Sequence, residues 1–225
     1  MELNELGSYF DHTLLKPDSV RDQIVKLCQE AIGYRFYSVC VPPYYIPLAK
    51  QLLGNEQVRT CSVVGFPLGY SSSSAKLAEA KYLLQLGTEE LDMVINLSAL
   101  RNQEWTYIKE ELKKINELVL GKKAVLKVIV ETCMLSLDEI TKLCEVANQV
   151  QPHFIKTSTG FNGPGANVEV VSLLRKLLHP SIKIKASGGI RTLEKTLDLI
   201  KAGADRIGAS ESVSIINEAR QILKT

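Results

Sequence analysis

The chain has 225 residues, and 45% of them are hydrophobic, so it is long enough to bury a large core. A net charge of +2, with no basic arm or acidic tail, argues against binding to nucleic acid. The first ten residues contain two glutamates and no lysine or arginine, which is unlike a signal peptide. No apolar run approaches the roughly 18 residues of a membrane helix. Five scattered cysteines without a C-x-x-C pair indicate reduced thiols, so we expect a cytoplasmic protein.

Short strand-like runs alternate with amphipathic helical patterns along the whole chain. The predicted strands are 9–15, 37–41, 58–66, 90–96, 124–131, 154–159, 183–187 and 205–209. The helices predicted after them lie at about 20–33, 45–53, 75–86, 108–119, 135–150, 167–178, 192–202 and 211–223. Pro17, Asp18 and Ser19 precede the first helix as capping residues, and Gly33 is predicted to end it.

Eight strand–helix units in succession predict an α/β protein with a parallel sheet. At this chain length, eight units fit a closed (β/α)8 TIM barrel, and we expect residues 1–225 to form a single barrel domain. An open, doubly wound sheet is the alternative architecture. The first strand is not followed by the G-x-G-x-x-G fingerprint of dinucleotide-binding sheets, which favours the barrel.

Two segments near the C-terminal end place a lysine inside a strand-like run that leads into small residues and glycine. They read HFIKTSTG at 153–160 and IKIKASGG at 182–189, with Lys156 and Lys185 in the predicted strands. Lysine is rarely buried, so these positions require a reason. A single lysine of this kind can extend from a sheet edge into solvent. Two of them in successive strands favour a pair of lysines that work together.

In a (β/α)8 barrel the active site lies at the C-terminal ends of the strands. Side-chain alternation places Lys127 inside the barrel, where it can meet Asp92 of the neighbouring strand, and it turns Lys156 and Lys185 inwards as well. Clustered ammonium groups and burial lower the pKa of a lysine from about 10.4 towards about 7–8. A neutral lysine attacks carbonyls and forms a Schiff base. A purely structural lysine–aspartate network is the alternative.

Glycines cluster after the last three predicted strands. Loops at these positions often bind phosphate through bare backbone N–H groups and a helix N-terminus. Gly160, Gly188, Gly189 and Gly208 therefore predict a site for a phosphate monoester, although ordinary turns between strand and helix also use glycine. The segment 161–165 (FNGPG) is predicted to cover this site.

Metal catalysis is not supported by the sequence. The three histidines, His12, His153 and His179, show no H-x-H or H-x-x-x-H spacing. We therefore do not expect a catalytic metal.

Motifs along nearly the whole chain resemble those of the deoxyribose-phosphate aldolases in their short bacterial form. They are DHTLLKP at 11–17, SVCV at 38–41, GFPLG at 65–69, ELDMVIN at 90–96, LKVIVET at 126–132, IKTSTGF at 155–161, IKASGGIRT at 184–192 and DRIGAS at 205–210. The resemblance implies a metal-free class I aldolase on a (β/α)8 barrel. Such an enzyme reversibly cleaves 2-deoxy-D-ribose 5-phosphate to D-glyceraldehyde 3-phosphate and acetaldehyde in deoxyribonucleoside catabolism.

The resemblance also implies roles for individual residues. Lys156 corresponds to the Schiff-base lysine, Lys185 to the partner that favours its neutral form, and Asp92 to the acid/base residue that passes protons through a water. The pocket-lining positions correspond to Asp11, Thr13, Cys40, Lys127 and Thr159. The phosphate cradle corresponds to Gly160, Gly188, Gly189, Gly208 and Ser210. A homodimer is implied as well, without a nucleic-acid or membrane partner.

Three features depart from the family pattern. Pro42 stands where asparagine is commoner, and Glu211 stands where many relatives have a second serine beside the phosphate. Glu211 either weakens phosphate binding by repulsion or caps the last helix and points away. The sequence ends at Lys224-Thr225 without the C-terminal tyrosine that assists proton transfer in some relatives, so we expect a slower enzyme or another proton route.

Two other functions fit the residues alone. A phosphosugar isomerase would use Asp92 as a base and would form no covalent adduct. A non-catalytic barrel would bind a sugar phosphate and act as a sensor or scaffold.

Overall fold

A closed barrel of eight parallel strands occupies the part of the chain that the structure, a computed structural model, describes, residues 3–222. The strands are β1 Phe10–Thr13, β2 Ser38–Cys40, β3 Arg59–Val64, β4 Glu90–Val94, β5 Val125–Ile129, β6 Phe154–Lys156, β7 Lys183–Ser187 and β8 Arg206–Ala209. They neighbour one another in chain order, and β1 pairs with β8 to close the sheet. The predicted (β/α)8 fold is therefore confirmed.

Helices cover the outside of the barrel. They are α1 Leu3–Gly7, α2 Arg21–Tyr34, α3 Ile46–Leu53, α4 Ser73–Gln85, α5 Leu97–Arg101, α6 Trp105–Gly121, α7 Leu137–Val150, α8 Val168–Leu177, α9 Leu193–Lys201 and α10 Ser212–Ile222. Short 3₁₀ turns occupy Pro43–Tyr45 and Thr132–Met134. Within residues 3–222, no helix combines the length and the apolar content that crossing a membrane requires.

Helix α7 illustrates why these segments become helical. Ser136 caps its N-terminus by accepting from the Glu139 N–H, and the Glu139 side chain accepts from the Ser136 N–H in return. Ile140, Leu143 and Ala147 recur at helical spacing and are buried. The capping box sets where the helix begins, and the apolar face sets which side packs on the barrel.

Strand alternation separates two layers of side chains. Leu91, Leu126 and Ile184 belong to the main hydrophobic core between the strands and the helices. The alternate residues Asp92 and Lys127 are fully buried on the other side, inside the barrel. The fold therefore brings charged residues of consecutive strands together in the barrel interior.

The structure differs from the predicted elements at several ends. Helices α1 and α5 have five residues each, too few to show a helical period in the sequence. Helix α2 continues through Gly33, and Arg35 ends it in the left-handed conformation (φ 56°) with its N–H bonded to the Ile32 carbonyl at 3.2 Å. β6 ends at Lys156, three residues before the predicted end, and at that predicted end the Thr159 N–H donates to the Glu131 side chain rather than to a neighbouring strand.

Two sequence predictions extend past the described residues. Residues 1, 2 and 223–225 lie outside them, so the single domain over 1–225 stays a prediction. The chain end at Lys224-Thr225, from which we expect an altered proton route, lies outside the described residues as well.

Candidate active site

Asp92 on β4 is the centre of a buried charge cluster inside the barrel. Its Oδ1 accepts a hydrogen bond from Lys127 Nζ at 2.8 Å. Its Oδ2 accepts from Lys156 Nζ at 2.8 Å and from Lys185 Nζ at 2.7 Å. Three lysines from the consecutive strands β5, β6 and β7 thus converge on one carboxylate.

A second set of charged residues lies next to this cluster. Asp11 on β1 contacts Lys185 Nζ at 2.5 Å and Lys127 Nζ at 3.5 Å. Glu90 on β4 contacts Lys127 Nζ at 2.6 Å. Arg206 on β8 contacts Asp11 at 2.8 Å and Glu90 at 3.5 Å. Each of these buried ions has a partner of opposite charge, which offsets the cost of removing it from water.

Burial and ion pairing act on Asp92 in opposite directions. Burial alone raises the pKa of a carboxyl group. The ammonium groups of Lys127, Lys156 and Lys185 outweigh it and hold the pKa of Asp92 well below its ordinary value of 3.8. Asp92 is therefore a carboxylate at neutral pH.

The expectation that clustering lowers the lysine pKa overall is wrong for Lys185 and Lys127, although Lys127 does lower the pKa of Lys185. Burial alone lowers the pKa of Lys185, but the carboxylates of Asp11 and Asp92 raise it above its ordinary value of 10.5. Burial acts on Lys127 in the same way, and Asp92, Glu90 and Asp11 again raise its pKa well above that value. The sequence argument failed because it weighed the ammonium groups without all of the buried carboxylates around them.

Two thiols lie against the charge cluster. Cys40 on β2 and Cys61 on β3 are paired across the sheet and fully buried. Cys61 Sγ lies 3.2 Å from Asp92 Oδ1 and 3.3 Å from Lys127 Nζ. The ligand-type atoms of Cys40, Cys61 and Asp92 lie within 4.8 Å of one another. A metal ion among them would face the three ammonium groups that already engage Asp92, so this set of donors fits a cation poorly.

A cavity of about 390 Å³ opens at the C-terminal ends of the strands. Lys156 lines it, whereas Lys127 and Lys185 are fully buried behind the lining. Of the three clustered lysines, only Lys156 is therefore part of the cavity lining. The other polar and glycine positions on the lining are Thr13, Lys16, Thr159, Gly160, Ser187, Gly188, Gly189, Arg191, Gly208 and Ser210.

Backbone segments approach one another closely at the rim of this cavity. Gly160 and Gly188 have φ angles of 84° and 85°, in the left-handed region. A Cβ atom on Gly165 would lie 2.2 Å from the carbonyl oxygen of Gly188. Only glycine fits here, because any side chain would collide with the neighbouring backbone. The rim is thus built from bare backbone, which is a surface suited to phosphate oxygens.

The predicted pocket residues fall into two groups. Thr13 and Thr159 line the cavity. Asp11, Cys40 and Lys127 are fully buried and lie behind the lining. The structure gives the second group contacts within the protein, and their roles towards a substrate stay predictions.

Several residues of the site are missing from the sequence prediction. Glu90 and Arg206 complete the buried network, and alternation could have found them, since each lies two residues before a predicted site residue, Asp92 or Gly208. Lys16 and Arg191 are exposed loop residues on the cavity lining. Loop residues follow no periodic pattern, so only the tertiary structure places these two at the site.

Glu211 does not line the cavity, although it follows Ser210 in the chain. Its side chain is exposed, and its Oε2 lies 3.5 Å from Ser214 Oγ on α10. Of the two roles expected for Glu211, this placement fits a helix-terminal residue better than a group that repels phosphate.

Residues 7–213 match a family model described as DeoC/LacD family aldolase. The deoxyribose-phosphate aldolase of Dictyoglomus turgidum is 48% identical over 217 residues, which cover 96% of this chain and 98% of that protein. The deoxyribose-phosphate aldolase of Thermococcus gammatolerans is 46% identical over 218 residues, which cover 96% of this chain and 97% of that protein.

A solved structure shows the same architecture. It is that of the deoxyribose phosphate aldolase from Aeropyrum pernix, described as a tetramer, with a TM-score of 0.92 and 32% identity. The similarity covers 98% of this chain and 93% of that one. With a family model that matches most of the chain and full-length relatives of this similarity, the chain belongs to the DeoC/LacD family of aldolases.

Proposed function

We propose that this chain is a class I aldolase that reversibly cleaves 2-deoxy-D-ribose 5-phosphate to D-glyceraldehyde 3-phosphate and acetaldehyde. The observation that carries the proposal is the position of Lys156, whose Nζ lies 2.8 Å from Asp92 and which lines the cavity. Membership of the aldolase family and the names of the relatives support the same reaction.

In the proposed reaction, the neutral amine of Lys156 attacks the aldehyde carbon of the open-chain sugar, and water leaves to form an imine. The protonated imine accepts the electron pair of the C2–C3 bond as that bond breaks. The C3 hydroxyl loses its proton and becomes the aldehyde of glyceraldehyde 3-phosphate. Protonation of the remaining enamine at C2 and attack by water then release acetaldehyde and return the amine.

Lys185 and Asp92 support Lys156 in this scheme. The pKa of Lys185, which burial alone would lower, is raised by Asp11 and Asp92, so Lys185 carries a positive charge at neutral pH. It contacts the same Asp92 oxygen as Lys156 does, and a positive charge beside an amine favours the neutral form of that amine. We assign to Asp92, as a carboxylate, the acceptance of protons and their transfer through a water.

We assign the phosphate group to the glycine-rich rim of the cavity. Gly160, Gly188, Gly189, Gly208 and Ser210 line this part, with backbone that approaches a ligand closely. Lys16 and Arg191 add two positive charges to the same lining. A dianionic phosphate would therefore meet both hydrogen-bond donors and charge of the opposite sign.

Borohydride reduction in the presence of acetaldehyde tests the proposal directly. The expected result is a reduced adduct that mass spectrometry locates on Lys156, and its loss in Lys156→Ala together with turnover of 2-deoxyribose 5-phosphate. Lys183→Ala is the matched control, because Lys183 is an exposed lysine on β7. An adduct on another lysine, or none at all, would overturn the assignment and favour a reaction without a covalent intermediate.

The proposed chemistry requires no metal or cofactor, because the imine of Lys156 supplies the electron sink. A chelator should therefore leave the rate unchanged.

We also propose a cytoplasmic homo-oligomer. The Aeropyrum pernix relative is a tetramer, whereas the family resemblance implies a homodimer, and light scattering distinguishes the two.

A further inference from the structure

Glu131 is a buried carboxylate that the proposed mechanism leaves without a role. It follows β5 at the barrel mouth and is fully buried. Its backbone is left-handed, with φ 52° and ψ 59°, an unfavourable conformation for a residue other than glycine. Both the burial of a carboxylate and the strained backbone cost free energy, so its contacts must hold it in place.

Its hydrogen bonds from nitrogen and oxygen donors come from one segment, residues 159–165, which we call the Gly160 loop, and Cys133 Sγ also lies 3.8 Å from its Oε1. The Thr159 hydroxyl donates to Glu131 Oε2 at 2.5 Å, and the Thr159 N–H donates to Oε1 at 3.2 Å. Asn162 Nδ2 donates to Oε2 at 3.0 Å. A carboxylate only accepts hydrogen bonds, so it suits a position where three donors converge. Within the described residues these contacts are hydrogen bonds from neutral groups rather than ion pairs.

The Gly160 loop packs directly on the glycines that follow β7. A Cβ atom on Gly160 would lie 3.5 Å from Gly188 Cα, and one on Gly165 would lie 2.2 Å from the Gly188 carbonyl oxygen. The N–H of Ala166, directly after the loop, donates to the same carbonyl at 3.1 Å. On its other side, Phe161 contacts Phe66 edge-to-face with ring centroids 5.2 Å apart. A shift of this loop would therefore move Gly160 relative to Gly188, two of the glycines that line the cavity.

We propose that Glu131 is a positioning residue that fixes the Gly160 loop in the phosphate subsite and so determines the preference for a phosphorylated substrate. The proposal rests on the proposed aldolase function. Glu131 does not line the cavity, so it acts through Thr159 and Asn162. Loss of Glu131 should weaken binding of the phosphate while the reacting amine, on the next strand, stays in place.

The test compares 2-deoxyribose 5-phosphate with unphosphorylated 2-deoxyribose in wild type and in Glu131→Ala. Hydrogen bonds to a charged group are involved, so kcat/KM for the phosphorylated sugar should fall about tenfold or more, mainly through a higher KM. The kcat/KM for unphosphorylated 2-deoxyribose should change little. An equal loss on both substrates, or no loss, would overturn the proposal.

Three further variants keep the test decisive if Glu131→Ala folds poorly. Glu131→Gln keeps an acceptor and should retain part of the preference. Thr159→Val removes one hydrogen-bond donor to Glu131. As a single substitution it should lower the preference for the phosphorylated sugar, whereas added to Glu131→Ala it should cause no further loss. Glu89→Ala is the matched control, because Glu89 accepts from the Thr60 N–H at 2.9 Å and from the Thr60 hydroxyl at 3.2 Å at the opposite end of the barrel. It should leave the preference unchanged, and a drop equal to that of Glu131→Ala would contradict the specific role.

Borohydride trapping separates failure of this proposal from failure of the proposed function. Acetaldehyde carries no phosphate, so Glu131→Ala should still form the reduced adduct on Lys156. A wild-type adduct with an unchanged substrate preference in Glu131→Ala rejects only the role of Glu131. Absence of the adduct in wild type rejects the aldolase assignment itself.

Discussion

The amines of Lys156 and Lys185 share a single acceptor, Asp92 Oδ2, at 2.8 Å and 2.7 Å. The shared oxygen holds two like charges close together, and their surroundings differ. Lys185 also contacts Asp11 at 2.5 Å and is fully buried, whereas Lys156 lines the cavity. In the proposed mechanism, Lys156 is the member of the pair that reacts, and Lys185 is the one that remains a cation.

Replacing Lys185 with leucine should separate these two roles. Without the neighbouring cation, the amine of Lys156 loses the charge that the proposed mechanism places beside it, so kcat/KM at pH 7 should fall by about 10²-fold or more. The variant should also lose about 3–5 kcal/mol of stability, because Asp11 and Asp92 lose a buried partner. Rates from pH 6 to 10 and urea unfolding measure both effects. Full activity at pH 7 would refute the pairing, and Lys183→Leu is the exposed control.

A second buried ion pair, outside the site, offers a test of stability alone. Lys76 Nζ on α4 lies 2.9 Å from Glu111 Oε2 on α6, and both side chains are fully buried. Lys76→Met leaves the Glu111 carboxylate without its counter-ion and should cost about 3–5 kcal/mol in urea unfolding. The double variant Lys76→Met with Glu111→Leu should recover most of that loss, because no charge remains buried. A double variant as unstable as the single one would contradict this account.

Protonation of His12 should make stability depend on pH. Burial lowers the pKa of His12 below its ordinary 6.5, against the opposing effects of Glu30 at 3.1 Å and of Glu211. As pH falls below 6.5, the unfolded chain binds a proton before the folded one does, so stability is highest above that pH and declines below it. His12→Gln should reduce the slope of the unfolding free energy between about pH 7 and pH 5.

His153 is a second source of the pH dependence of stability. Burial also lowers the pKa of His153, so His153→Gln should reduce the slope further. Denaturant unfolding at several pH values measures both changes. If the unfolding free energy of His12→Gln changes with pH as steeply as that of wild type, the burial of His12 does not contribute to the pH dependence of stability.

A methyl group at Gly188 should damage the phosphate subsite. The φ angle is 85°, and a Cβ atom would lie 2.9 Å from Gly165 Cα. Gly188→Ala should cost about 1–2 kcal/mol from the left-handed backbone, with a further loss from the collision, and should raise the KM for the phosphorylated sugar. Gly33→Ala is the control: Gly33 lies within α2 with open space around its Cβ position, so alanine should stabilise the chain by about 0.4–1 kcal/mol. Equal effects of the two variants would argue against a special backbone at Gly188.

The period of the hydrophobic residues determined the eight strand–helix units, because alternation and helical spacing are local properties of the chain. Strand alternation also predicted that Lys127, Lys156 and Lys185 point into the barrel. A lysine on the outer face of these strands would be buried under a helix without a partner for its charge. The closed barrel is what places these residues around Asp92.

Only the tertiary structure decided the electrostatic balance and the loop contacts. The sign of the pKa shift of Lys185 depends on its distances to Asp11 and Asp92, which are remote from it in the chain. The role proposed for Glu131 depends on donors that another loop supplies. Charge interactions and hydrogen bonds act through space, so residues remote in sequence determine them, whereas the strand and helix periods arise between neighbours.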